Sequence, residues 1–332
     1  MKYIPELDGL RALSALLIVL HHSGAPGVVG GFFAVDVFFV LSGFLVTQIL
    51  WLPSREKGCV AWFEFIHRRL LRLLPALVVM LVAYVSFSPF MWSAQFSLVD
   101  HIRDAIFTIT YTVNWLQTWG REVVVLGHVW SLAVEMQFYL MWPLVVLLVF
   151  RLPKKIGLWA FFALYVLATL WRVYGSFYLE TPWSVYTRTD MHASGLVLGA
   201  VLALLPNARV QWLALPGLLL LFFCVTFFST HWNPTVLYGF TLAELGAAML
   251  IVSRPAWLAT PFLVWIGQIS YGLYLWHYPI VLYFQLQGLP WVQVFFYGVT
   301  IALVLASLSY YYVESRFYSP IRKRESSAGK GC

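Results

Sequence analysis

Long apolar runs separated by short polar segments dominate this 332-residue sequence. Each run is close to the length of about 20 residues that an α-helix needs to cross a bilayer, whereas a transmembrane β-strand needs only about 10. The run lengths therefore favour helices over a barrel. The pattern predicts about ten spans, at residues 10–29, 32–52, 70–91, 128–150, 156–175, 186–205, 212–230, 234–252, 263–285 and 291–314.

The composition agrees with an integral membrane protein. Hydrophobic residues make up 61% of the chain and charged residues 11%, and the mean hydropathy is +0.80. A soluble domain carries about 25% charged residues, so this chain has too few polar groups to cover a surface that faces water. We predict an all-α, polytopic transmembrane helix bundle over residues 1–315, followed by a basic cytosolic tail at 316–332.

The basic residues predict how the bundle is oriented. If the N-terminus lies inside, the 21 Lys and Arg residues fall on the inner side, with the exception of Arg103, Arg121, Arg172 and Arg188. An even number of spans then leaves both termini in the cytosol. The formal charge of +7 is thus a topology signal. Because these charges flank helices and do not form a folded polar face, no nucleic-acid partner is predicted.

The first span carries two costly polar side chains, Arg11 and His22. Eleven residues correspond to about three turns plus 20°, so both lie on one helix face, roughly 16 Å apart along the axis. An Arg at the centre of a membrane costs about 2.5–3.5 kcal/mol on insertion scales, so such groups face a protein interior or a water-filled cavity. The pair indicates chemistry inside the membrane.

Two further spans carry ionisable groups. Asp36 in the second span requires a partner, and a histidine or arginine on the first helix is the nearest candidate in sequence; a purely structural ion pair is the alternative. In the fourth span, His128, Ser131, Glu135 and Tyr139 share one face. That stripe is either a seam of hydrogen bonds between helices or the wall of an active site.

Arginines also stand at the inner end of the third span. Arg69 and Arg72 share a helix face and point towards the surface near which Arg11 lies. Guanidinium groups suit phosphate oxygens, so the three could bind a ligand rich in phosphate, although the positive-inside rule explains some arginine here. In the ninth span, the favoured interpretation of His277 on its own is a core histidine.

Taken in order, these segments resemble membrane acyltransferase family 3, bacterial proteins that acylate sugars and other hydroxylated acceptors. The resemblance runs through nearly the whole chain. Its motifs are Glu6-Leu7-Asp8-Gly9-Leu10-Arg11-Ala12 with His22, the block from Phe33 to Leu45, Arg69 and Arg72 before Pro75, Trp130-Ser131-Leu132 with Glu135 and Phe138-Tyr139, and Tyr274-Leu275-Trp276-His277.

The resemblance implies transfer of an acyl group, expected to be acetyl, from acyl-coenzyme A to a hydroxyl of a sugar or glycan. His22 would be the general base, with Asp36 or Glu135 orienting its ring. Arg69, Arg72 and Arg11 would bind the acyl-coenzyme A. The resemblance also points to supporting or acceptor-binding roles for four residues, Ser131, Tyr139, Trp276 and His277.

No resident cofactor and no metal are predicted, because acyl-coenzyme A is a co-substrate and the three cysteines lack metal-ligand spacing. The expected partners are membrane lipid, the donor and a carbohydrate acceptor, and the expected location is the bacterial inner membrane. One departure from the family is His192, which stands where an arginine is expected.

Three alternatives stay open at the level of sequence. An acyl-histidine intermediate would also use His22. A transporter or flippase of lipid-linked glycans would also have about ten spans with buried charges, although the missing internal repeat disfavours it. A membrane scaffold without catalysis would tolerate loss of His22.

Overall fold

The computed structural model describes residues 3–178, 181–206, 208–230 and 232–317. Within these ranges the chain is helical and contains no β-strand, which confirms the all-α prediction. The helices are α1 (Pro5–His22), α2 (Ala34–Lys57), α3 (Trp62–Met91), α4 (Leu98–Ile109), α5 (Val113–Thr118), α6 (Trp130–Val149), α7 (Lys154–Tyr178), α8 (Pro182–Thr187), α9 (Thr189–His192), α10 (Ser194–Leu204), α11 (Ala214–Phe227), α12 (Phe240–Ser253), α13 (Pro261–Gln268), α14 (Ser270–Leu286) and α15 (Trp291–Ser309).

Among the described residues, six helical segments are long and apolar enough to cross a membrane. They are Gly31–Lys57, Trp62–Met91, Gly127–Val149, Lys154–Tyr178, Thr235–Ser253 and Trp291–Phe317. Two shorter apolar helices, Ser194–Leu204 and Gln211–Phe227, accompany them. By length and composition, the helices thus identify a membrane protein with several crossings. The predicted tail at 316–332 lies outside the described residues except for its first two positions.

The first predicted span is shorter than the apolar pattern indicated. Helix α1 ends at His22, seven residues before the predicted boundary. The chain turns at Gly24 and Gly27, which have φ angles of 78° and 76°, and Pro26 stands between them. Positive φ is readily adopted by glycine, and proline lacks the N–H that a continuing helix needs. His22 therefore lies at the end of its helix.

Two other predicted spans are broken. The 263–285 span consists of α13 and α14, which are separated at Ile269. The 186–205 span consists of α10 and the short helices α8 and α9. At the first break the backbone comes close to α1, because a Cβ on Gly267 would lie 2.0 Å from the carbonyl oxygen of Asp8. This close contact brings the start of α14 next to α1.

Helix α2 packs closely on α10 through glycine. A Cβ on Gly43 would lie 1.8 Å from the backbone oxygen of Leu196, and a Cβ on Gly199 would lie 2.1 Å from that of Val40. Small residues let two backbones approach in this way, which is the usual basis of helix packing in membranes. Gly43 is therefore a close-packing position between α2 and α10.

Two apolar clusters form the core. The smaller one joins α1 to α13, α14 and α15 and is rich in alanine. The larger one spans the remaining helices and contains most of the buried aromatic side chains. Helix α1 packs directly on α14, and a hydrogen bond between Ser131 and Tyr274 connects α14 to the start of α6. Together with α3, these helices carry most of the polar side chains of the candidate site.

Candidate active site

Polar side chains on α1, α3, α6 and α14, and in the turn before α6, form two groups at different heights along α1. The first, called here the histidine cluster, contains His22, His128 and His277 with the neighbouring Tyr278. The second, called here the arginine cluster, consists of Arg11, Arg69, Arg72, Glu135 and Tyr139. Along α1, the eleven residues from Arg11 to His22 separate the two clusters by roughly 16 Å.

In the histidine cluster, His22 is hydrogen-bonded to His277. The Nδ1 atom of His22 lies 2.9 Å from Nε2 of His277, and the two rings are stacked with centroids 5.2 Å apart. On its other side, Nδ1 of His277 lies 2.7 Å from the backbone oxygen of Tyr274. A carbonyl oxygen only accepts, so Nδ1 of His277 donates to it.

This hydrogen bond determines the tautomers of both rings. Once Nδ1 of a neutral His277 carries the proton, its Nε2 accepts, and Nδ1 of His22 is the donor. The Nε2 atom of His22 then holds a free lone pair, and it makes no hydrogen bond within the described ranges. A ring with one nitrogen anchored and the other open is the geometry of a general base.

His128 completes the cluster from the turn that leads into α6 (127–129). Its ring stacks on Tyr278 with centroids 4.9 Å apart and meets His277 edge-on at 5.2 Å. His22 contacts the same Tyr278 ring at 4.8 Å. The backbone is tied to α14, because the Tyr274 hydroxyl donates to the carbonyl of His128.

Ser131 supports this connection between α6 and α14. Its hydroxyl lies 2.6 Å from that of Tyr274, which accepts here because its own proton goes to the His128 carbonyl. Trp276 lies on the same helix, and its indole N–H has no partner in the described part of the chain. The N-terminal half of the predicted polar stripe, His128 and Ser131, is therefore directed towards the histidine cluster.

In the arginine cluster, Arg11 donates from Nε to the hydroxyl of Ser270 at 3.2 Å, and its guanidinium lies 5.8 Å from the centre of the Phe38 ring. Arg72 and Glu135 are close enough to act electrostatically on Arg11. The structure thus brings together the arginines that the sequence predicted to converge.

Arg69 lies over aromatic rings in the same cluster. Its guanidinium carbon is 5.2 Å from the centre of the Tyr139 ring and 5.4 Å from that of Phe65. Such cation–π contacts hold a guanidinium in place. Ser42 and Tyr139 both donate to Oε1 of Glu135. Glu135 therefore belongs to the arginine cluster.

A second carboxylate near these arginines was missed from the sequence. Glu314, just beyond α15, is buried and acts electrostatically on Arg72 and Arg11. Ser309 donates to it at 3.3 Å. Glu314 is the last residue of the last predicted span, and no sequence motif there indicated a functional carboxylate. The positive charge of the cluster is therefore partly balanced by Glu135 and Glu314.

The expected contact between Asp36 and helix α1 is wrong. Asp36 is fully buried and its Oδ1 lies 3.0 Å from Nε2 of His192 on α9. Asp36, Val40 and Gly43 share one face of α2, and that face packs on α9 and α10. The carboxylate consequently points away from α1. His192 thereby has a partner of its own, and its other nitrogen donates to the backbone oxygen of Tyr186.

Asp36 or Glu135 was expected to orient the ring of His22, but the structure shows a different partner. The ring nitrogen that a carboxylate would contact is bonded to His277 instead. His277, expected only to support the site, occupies the orienting position.

A buried ion pair was also missed. Arg172, which we assigned to the outer side by charge, is fully buried and pairs with Glu244 at 3.0 Å. Arg172 also donates to the hydroxyls of Ser194 and Thr241. This pair joins α7, α10 and α12. Because Arg172 lies inside the bundle, it does not count as a loop charge.

In the described part of the chain, the side chains of the histidine cluster are not grouped as metal ligands. Within the ranges that the structure describes, no group of three His, Cys, Asp or Glu side chains is arranged to hold a metal ion. The arrangement instead provides one imidazole with an open nitrogen, and guanidinium groups about three helical turns away. These features suit proton transfer at one level and binding of an anionic ligand at the other.

Comparison with known proteins gives matches over almost the entire chain. The family model described as "Acyltransferase domain" matches residues 4–312. A Staphylococcus aureus protein named "Putative O-acetyltransferase" is 33% identical over 96% of this chain and 58% of its own length. "Peptidoglycan O-acetyltransferase OatA" from Listeria monocytogenes is 33% identical over 97% of this chain and 56% of its own length.

The chain thus spans a little more than half the length of these curated relatives. Comparison with solved structures found no significant match. The family match covers the helices that carry both clusters. The chain therefore belongs to the acyltransferase 3 family.

Proposed function

We propose that this protein is an O-acyltransferase that moves an acetyl group from acetyl-coenzyme A to a hydroxyl of a cell-envelope glycan. The observation that carries the proposal is the hydrogen bond from Nδ1 of His22 to Nε2 of His277. This hydrogen bond leaves a free lone pair on Nε2 of His22. The chain belongs to a family of acyltransferases, in which such a group can act as a base. The glycan acceptor is supported by the name of the Listeria relative, a peptidoglycan O-acetyltransferase.

In the proposed reaction, Nε2 of His22 removes the proton of the acceptor hydroxyl as that oxygen attacks the thioester carbonyl carbon. The tetrahedral intermediate collapses, the C–S bond breaks, and the coenzyme A thiolate takes the proton from His22. His277 acts as a positioning residue, because it holds the tautomer of His22 in which Nε2 is open. We propose direct transfer, without an acyl-histidine intermediate.

The arginine cluster is proposed to bind the donor. Phosphate oxygens of coenzyme A would lie on Arg69 and Arg72, with Arg11 deeper in the bundle, since planar guanidinium groups bind phosphate in a bidentate manner. The separation of roughly 16 Å between Arg11 and His22 suits a ligand with an anionic head and a long pantetheine arm.

The site requires a defined orientation in the membrane. We propose ten crossings, with both termini in the cytosol and the protein in the bacterial inner membrane. The distribution of Lys and Arg supports this orientation even without Arg172. It directs the arginine cluster to the side where coenzyme A is made and the histidine cluster towards the acceptor.

The proposal is tested with the full chain in proteoliposomes. Acetyl-coenzyme A and a soluble peptidoglycan fragment are supplied, and release of coenzyme A is measured together with the acetylated fragment by mass spectrometry. We expect both products in equal amounts, and neither without the acceptor. Uptake of the fragment into the vesicles without release of coenzyme A would contradict the proposal and support a transporter.

A further inference from the structure

The histidine cluster contains a second imidazole whose hydrogen-bonding capacity is unused. His128 is only 5% exposed, and neither Nδ1 nor Nε2 has a hydrogen-bond partner among the described residues. The carbonyls of Tyr274 and Leu275 lie close to the ring, but neither is reached with hydrogen-bond geometry. A buried polar group without a partner is unfavourable and calls for an explanation, for which a bound ligand is a regular one.

The backbone of His128 is held firmly, so the ring is not loose. The hydroxyl of Tyr274 donates to the His128 carbonyl and in turn accepts from Ser131. The ring itself is stacked on Tyr278, 4.9 Å away. These contacts hold the imidazole in place while they leave both of its nitrogens available.

His128 is also close to the proposed base. The rings of His22 and His128 each lie within about 5 Å of the Tyr278 ring, at 4.8 and 4.9 Å, and each lies 5.2 Å from the His277 ring. The two histidines thus approach the same pair of side chains from different helices. A substrate that contacts Nε2 of His22 would come within reach of His128.

Acyl transfer needs a second group besides a base. When a hydroxyl attacks a thioester, the carbonyl oxygen gains negative charge, and an oriented donor at that oxygen lowers the barrier. Two other donors near His22 are engaged: the hydroxyl of Tyr274 donates to the carbonyl of His128, and the amide of Gln285 donates to the carbonyl of His22 at 2.6 Å. A neutral imidazole always has one N–H. The N–H of His128 is therefore an uncommitted donor that is buried and held against Tyr278 beside His22.

We propose that His128 donates a hydrogen bond to the thioester carbonyl oxygen as it becomes an oxyanion. The inference rests on the proposed function and assigns a second catalytic residue to it. In the reaction, the π electrons of the C=O bond move to oxygen when the new C–O bond forms, and they return when the C–S bond breaks. His128 stabilises the intermediate state and keeps its proton throughout.

The test compares His128→Ala with two variants that restore an N–H donor. An asparagine amide places its donor near the position of Nδ1, and a glutamine amide places it near that of Nε2. We expect His128→Ala to lower kcat by about 10² to 10³, the usual effect of losing an oxyanion donor. The KM for acetyl-coenzyme A should change little. Either His128→Asn or His128→Gln should have a kcat roughly tenfold or more above that of His128→Ala.

A matched control is His101→Gln. His101 is another buried histidine, bonded to Tyr84 at 2.5 Å in the segment between α3 and α6. The His101→Gln substitution should leave turnover per folded protein unchanged. If His128→Ala, His128→Asn and His128→Gln lose activity equally, or if the loss appears in KM, the imidazole does not act as an oxyanion donor.

The same assay with His22→Ala separates this inference from the proposed function. If His22→Ala abolishes turnover while His128→Ala leaves it intact, only the role of His128 is overturned. If neither substitution changes turnover, the proposed mechanism itself fails.

Discussion

The arginine cluster and the histidine cluster are joined by α1, but they hold their polar groups in opposite ways. In the arginine cluster, cations face carboxylates and aromatic rings, as Arg11 does with Glu135 and Arg69 does with Tyr139. In the histidine cluster, neutral rings contact one another, and a backbone carbonyl sets their tautomers.

The difference indicates a division of labour. Fixed guanidinium charges are suited to binding, because they keep their protons at every physiological pH. An imidazole can gain and lose a proton near neutral pH, so it is suited to chemistry. Substitutions in the two clusters should therefore affect different kinetic constants.

The largest effect is expected for the base. His22→Ala should lower kcat by about 10² to 10⁴, the range typical of general base catalysis, while the protein still inserts into the membrane. Turnover in proteoliposomes, normalised to folded protein, measures this loss. Turnover close to that of the unsubstituted chain would exclude His22 as the base.

His21→Ala provides the control for that variant. His21 is adjacent in sequence, but its Nδ1 donates to the backbone oxygen of Val28 at 2.8 Å. Because its ring is committed to the turn after α1, we expect a far smaller change in kcat.

The arginine cluster should respond in KM. Arg69→Ala or Arg72→Ala removes a charge-assisted contact to phosphate, which is worth about 1.5–3 kcal/mol, so the KM for acetyl-coenzyme A should rise about 10-fold to 150-fold. Lysine at either position should restore only part of the affinity for acetyl-coenzyme A, because it lacks the bidentate fork of arginine.

The KM for the acceptor serves as the internal comparison for the arginine variants. It should stay nearly constant. An equal rise for donor and acceptor would point to misfolding and would remove the distinction between the two clusters.

A smaller effect is expected for the positioning residue. His277→Phe keeps an aromatic ring but removes the acceptor that holds Nδ1 of His22, so kcat should fall roughly 10-fold to 100-fold, the scale seen when a partner that orients a functional imidazole is lost. Binding of acetyl-coenzyme A, measured by calorimetry, should be unchanged. A weaker donor affinity would assign His277 to binding instead.

The orientation of the two clusters relative to the membrane does not alter a kinetic constant, but thiol labelling tests it directly. A cysteine introduced by Ser93→Cys, at an exposed position between α3 and α4, should react with an impermeant thiol reagent in whole cells. One introduced by Glu56→Cys, near the end of α2, should react only after lysis. The unsubstituted protein provides the background. Labelling of Glu56→Cys in intact cells would invert the orientation and exclude a cytosolic donor.

Much of the fold follows from local pattern. The length of the apolar runs predicted helices, and the described residues are helical without strands. The eleven-residue spacing of Arg11 and His22 predicted a shared face on one helix, and both do lie on α1. The stripe from His128 to Tyr139 was also evident from spacing, and it does contact neighbouring helices. Breaks such as that at Ile269 were less evident, because apolar residues continue through them.

Spacing along a helix is enough to choose a face and a depth, because the rise and the turn per residue are constant. Spacing does not determine which residue on another helix each side chain contacts. His22 meets His277 across 255 positions, and Asp36 meets His192 across 156. Those contacts depend on which helices pack together and at what height, which is decided by close packing such as that of Gly43 on α10. The candidate base was therefore visible in the sequence, whereas the residue that orients it was decided only by the tertiary structure.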